Sequence, residues 1–121
     1  MIDTLAMLTK QIKDKFEKES YHVDVFNTYA GFVVKASVFD DGGTIHMRYR
    51  CYICTDYCGS GPKPSVSIYG EINDVVLYRG SVSGGKASTA SKRLNELLQS
   101  EDFNKSLNCS IKLPNAIYQS F

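Results

Sequence analysis

A chain of 121 residues with 43% hydrophobic residues can bury a core without disulfides and reads as one domain, 1–121. Fourteen Lys and Arg against thirteen Asp and Glu leave a formal charge of +1, which excludes a whole-molecule field that would gather nucleic acid or anionic lipid. No apolar run approaches the roughly 18 residues of a membrane span, and the start lacks the basic and apolar stretches of a secretory signal, so the expected setting is the cytoplasm, away from membranes.

Between Ile2 and Lys18 the residues Ile2, Leu5, Leu8, Ile12 and Phe16 fall on one side of a helical wheel, with Lys10, Asp14, Glu17 and Lys18 opposite. The period changes at Tyr21, where Tyr21, Val23 and Val25 alternate with His22, Asp24 and Phe26 as in a half-buried strand. After a turn at Thr28 to Gly31, Phe32, Val34, Ala36 and Val38 define a second strand, and Asp40-Asp41-Gly42-Gly43 suits a tight hairpin. A third run puts Ile45, Met47, Tyr49, Cys51 and Ile53 toward the core and His46, Arg48, Arg50 and Tyr52 away from it.

Thr55 to Pro64, with Gly59, Gly61, Pro62 and Pro64, is rich in chain breakers and predicts a functional loop. Ser65 to Ile72 and Val75 to Val82 predict a hairpin around Asn73-Asp74, and Gly84-Gly85 ends the sheet. Ala87, Ala90, Leu94, Leu97 and Leu98 then mark a second amphipathic helix from Lys86 to Gln99, with Ser100 placed to cap one more turn. Ser110 to Leu113 is a brief strand that Pro114 stops, and Ile117, Tyr118 and Phe121 are expected to fold back on the core. The fold class is therefore α+β: a two-layer domain with an antiparallel meander of about five strands and the two helices on one face.

Four candidate chemistries follow. Gly80 to Lys86 fits the GxxxxGK phosphate loop, but Ala87 stands where a Ser or Thr would hold magnesium, and what is left is weak anion binding by Gly84, Gly85 and Lys86 at a helix start. Cys51, Cys54, Cys58 and Cys109 are numerous enough for a zinc site, yet residues 51 and 54 have opposite parity on a strand, and buried inert thiols are the plainer reading. Nucleophilic catalysis would need His22 or His46 beside a Cys or Ser, which the pattern does not supply, and no enzyme is expected. The fourth is the uncovered sheet face, where Lys35, Arg48 and Arg50 interleave with Phe26, Tyr52 and Tyr69.

Such a face suits recognition, because Tyr and Arg are the side chains that dominate protein interfaces and aromatic rings also stack on bases. The expected function is docking on a protein partner through Lys35, His46, Arg48, Arg50, Tyr52 and Tyr69, joined by Tyr57 and Lys63 from the loop. Its size and its many Tyr and Lys match accessory and inhibitory proteins of phages and mobile elements, which act on host protein complexes. A single-stranded nucleic-acid binder and a zinc-stabilised interaction domain are the alternatives, and a homodimer would equally bury an aromatic face.

Overall fold

The computed structural model describes residues 1–38, 40, 42–58 and 61–112, the side chain of Cys58 excepted. The elements are α1 (Ile2–Lys18), β1 (His22–Thr28), β2 (Gly31–Ser37), β3 (Thr44–His46), β4 (Arg48–Cys58), β5 (Gly61–Ile72), β6 (Val75–Ser83), α2 (Ala87–Leu98), α3 (Glu101–Leu107) and β7 (Ser110–Lys112). Five strands form one antiparallel sheet in the order β1-β2-β4-β5-β6, and β3 pairs with β7 in a separate ribbon. The helices pack on one side of the large sheet, so the chain is α+β with two layers, as its periodicity predicts.

The buried stripe of α1 is Leu5, Leu8, Ile12 and Phe16, the residues its helical spacing places together. The helix ends with Ser20 at φ 66 and two reverse hydrogen bonds, Tyr21 N–H to the Phe16 carbonyl at 2.9 Å and Ser20 N–H to that of Glu17 at 3.0 Å. This stop also brings Tyr21 against Phe16, ring centroids 5.5 Å apart, and both rings join Tyr49 and Phe103 in an aromatic centre under the sheet. Val34, Cys51 and Ile68 lie side by side on β2, β4 and β5 and face the helices, as do Ile53 and Val66.

Hairpin chemistry fixes the sheet order. Asn73 and Asp74 both take positive φ, 51 and 64, the conformation a two-residue turn between twisted strands requires. Tyr29 and Ala30 turn β1 into β2.

The bounds of the elements depart from the sequence pattern in three places. The run from Ile45 to Ile53 is not one strand: it splits at Met47, so that β3 leaves the sheet to pair with β7 while β4 pairs with β2. Hence β2 and β3 do not pair as the two arms of a hairpin; Asp41 of the expected turn lies outside the described residues, and the Asp40 carboxylate accepts from Gly42 N–H at 2.6 Å. The expected loop at Thr55 to Pro64 is instead a ladder continuing to the pair Cys58–Gly61, with Gly59 outside the described residues. Pro62 and Pro64 fit because β6 ends at the pair Ser65–Ser83, so among the described residues, residues 61–64 have no second strand neighbour, and both prolines, two residues apart, turn the same side of the backbone outward. The third departure is α3, a full short helix where one extra turn is predicted; Ser100 caps it by accepting from Phe103 N–H at 3.3 Å. The expected return of Ile117, Tyr118 and Phe121 lies outside the described residues, as does Pro114.

Candidate functional site on the open sheet face

Alternation along each strand sends one set of side chains to the helices and the other to the uncovered face, and the register sorts that second set into rows. One row runs across all five strands as Asp24, Lys35, Arg50, Tyr69 and Arg79. Two residues along lies the row Phe26, Val33, Tyr52, Ser67 and Ser81, and on the other side Arg48 stands opposite Glu71. With strands about 4.8 Å apart, the first row spans roughly 19 Å, enough to cover an extended segment of a partner.

Contacts within the face are specific. Lys35 Nζ sits over the Phe26 ring, 5.5 Å from its centroid, and the Arg79 guanidinium lies 5.9 Å from that of Tyr69. Tyr52 meets Tyr69 edge to face at 5.9 Å. Arg50 donates to the Glu71 carboxylate at 3.3 Å, and His22 lies 3.4 Å from Asp24. Among the described residues Arg48 and Lys63 have no ion-pair partner. Phe26 is 48% exposed and Tyr52 38%, so the aromatic row is open to contact.

Of the site residues expected from the sequence, Lys35, Arg48, Arg50, Tyr52 and Tyr69 share this face, and Lys63 joins it opposite Asp56 on the extended ribbon. His46 does not. It belongs to β3 in the small ribbon, 3.5 Å from the Asp40 carboxylate, because the chain breaks at Met47, and it therefore shares no sheet with His22. Tyr57 has the parity of Cys51 and Ile53 and projects on the helix side of the ribbon, where it lines an apolar groove of about 490 Å³ with Met1, Ile2, Leu5 and Tyr29.

Arg79 is the member that the sequence pattern misses. A plain two-residue hairpin at Asn73-Asp74 would set Tyr78 opposite Tyr69 and turn Arg79 to the core. A bulge at Gly70/Glu71 shifts the register by one, so that Tyr78 opposes Gly70 and Arg79 opposes Tyr69. The available signal was a charged residue at a core-parity position next to Gly80.

The other candidates are not assembled among the described residues, which leave out the side chain of Cys58. Cys51 is fully buried beneath the helices, and burial drives its thiol far above the ordinary range; Cys54 is on the open face, and Cys109 is exposed after α3. Residues 51 and 54 thus point to opposite sides of the sheet, and among the described residues no three His, Cys, Asp or Glu gather as metal ligands. Gly80 to Ser83 of the phosphate-loop match are extended strand within an antiparallel sheet. Gly84 packs against the backbone of Ala90, where a Cβ would come within 2.8 Å of its nitrogen, so this glycine serves helix–strand packing, and Lys86 precedes α2 without a side-chain cap. Among the described residues no helix is long and apolar enough to cross a membrane. Comparison with known protein families, curated proteins and solved structures returns no match.

Proposed function

We propose that the chain is a binding protein, not an enzyme, and that it docks on a protein partner through the open face of its five-stranded sheet. The observation that carries this reading is the mixture on one face of open rings and charges of both signs, with Phe26 and Tyr52 exposed beside Lys35, Arg50 and Arg79. Asp24 and Glu71 add carboxylates within and beside the cationic row, which a phosphate backbone crossing the sheet would have to pass. A protein surface accepts this mixture, since Tyr and Arg anchors amid polar groups of both signs are what interfaces use. The compositional likeness to accessory and inhibitory proteins of phages and mobile elements makes a host protein complex the partner of first interest.

The test is affinity capture from cells expressing the tagged full chain, with Tyr52→Ala/Arg79→Ala on the open face and Lys10→Ala/Asp14→Ala on α1 as the control. One protein should be retained in stoichiometric amount by the wild type and by the control, and lost with the open-face pair. Retention indifferent to the open-face pair, or recovery of nuclease-sensitive material in place of protein, would remove the reading.

A further inference from the structure

The open face carries a recess of about 300 Å³ between β2 and β4, bordered by Asp24, Lys35, Ser37, Arg48, Arg50 and Glu71. It exists because small side chains stand between long ones: Ser37 on β2 leaves space that Lys35, Arg48 and Arg50 surround. Both carboxylates at its border already have neighbours, Glu71 receiving Arg50 at 3.3 Å and Asp24 lying 3.4 Å from His22. The cations are less well served. Among the described residues Arg48 has no acceptor and Lys35 only the Phe26 ring, and Arg50 Nε is buried without a hydrogen-bond acceptor. The Arg50 side chain as a whole is 44% exposed, so its guanidinium can still meet a charged acceptor brought by a ligand.

We infer that this recess seats a single carboxylate side chain of the protein partner, so that the docking segment is acidic. The inference rests on the docking reading above and names its chemistry. Charge sets the number: three cations against two carboxylates leave one positive charge at the recess, which one Asp or Glu neutralises and a run of phosphates would exceed. Geometry sets the orientation, because Arg50 holds Glu71 through one terminal nitrogen, and the incoming oxygens then accept from its other terminal nitrogen and from the Arg48 guanidinium across the recess. The exposed rings of Phe26 and Tyr52, one row away, receive the apolar residues that flank the acid.

The closing experiment is NMR on the full 15N-labelled chain, read at the arginine Nε–Hε signals and at the amides of Ser37, Arg48 and Arg50. The probes are poly-L-glutamate and length-matched oligo-dT. Poly-L-glutamate should shift the Arg50 Nε–Hε signal saturably, and the apparent affinity should fall about tenfold or more in Arg50→Lys, which keeps the charge but loses the fork, and in Arg48→Ala. Unchanged amide dispersion elsewhere verifies that the variants fold. Shifts spread evenly over the lysines of α1 with no effect of either substitution would overturn the acidic seat, as would tighter binding of oligo-dT at the same Arg50 signal. The two readings fail separately. Partner capture that depends on Tyr52 and Arg79 but ignores Arg48→Ala and Arg50→Lys removes the acidic seat and leaves docking; capture indifferent to the whole face removes both.

Discussion

The Tyr49 hydroxyl lies 2.5 Å from Ser106 Oγ, and since Ser106 donates to the Phe103 carbonyl at 2.6 Å, Tyr49 is the donor to Ser106. Tyr21 likewise donates to the Leu107 carbonyl at 2.8 Å. Burial disfavours the phenolate in both, raising Tyr49 and pushing Tyr21 up to about 12, and it raises Tyr78 beside them. In the unfolded chain a tyrosine ionises near pH 10, so as pH rises through that value the unfolded state loses protons first. Stability from these phenols is thus complete below about pH 10 and is lost as pH climbs toward the folded-state value. Denaturant midpoints followed from pH 8 to 12 should stay level and then fall above about pH 10, less steeply in Tyr49→Phe; an equal fall in that variant would contradict the assignment. The thiols divide by the same cause. Cys109 is exposed and should react with an aromatic disulfide reagent in the native protein, whereas Cys51 should react only after unfolding.

At the scale of elements, the bulge between β5 and β6 decides which side chains of β6 face the partner. Leu77 is the extra residue there, 57% exposed and without a place in the ladder. Removing it leaves Val76 opposite Glu71 and Tyr78 opposite Gly70 in an unbroken hairpin, so the Leu77 deletion should fold with Arg79 still on the open face. Removing Ser81, farther along the strand, would instead carry Val82 away from the core and should unfold or strongly destabilise the chain. Thermal melts of the two deletions check the pair, and equal behaviour would refute the register argument. Gly70 enforces the same spot from the other strand: a Cβ there would come within 2.8 Å of the Tyr49 ring, and Gly70→Ala should cost about 1–3 kcal/mol by overpacking. What was legible in the sequence follows from this. The helix stripes and the parity of β2, β4 and β5 are periodic signals and place Lys35, Arg48, Arg50, Tyr52 and Tyr69 together. A one-residue bulge, the break at Met47 and the tolerance of Pro62 and Pro64 are properties of the neighbouring strand, and no local pattern carries them, so periodicity alone turns Arg79 inward, sets His46 on the face and reads Tyr57 as a loop residue.

For the molecule as a whole, the two faces of one sheet divide stability from recognition. Ile68, Ile53 and Val34 are fully buried between sheet and helices, while Lys35, Arg48 and Arg79 on the reverse of the same sheet are exposed. The sheet is a single backbone layer with side chains on both faces, so both sets ride on the same backbone and the core fixes the spacing of the open-face rows. Ile68→Ala should therefore cost about 2–5 kcal/mol, the usual result of a core cavity. Lys35→Ala, Arg48→Ala and Arg79→Ala should each change stability by no more than about 0.5 kcal/mol, the range of surface substitutions away from caps and buried networks. Urea unfolding of the four variants beside partner capture would show the division: stability lost with capture intact wherever Ile68→Ala remains folded, and capture lost with stability intact on the other face. If the exposed cations proved as costly as Ile68, the open face would be structural, its charges holding the strands together, and it would have no free surface to offer a partner.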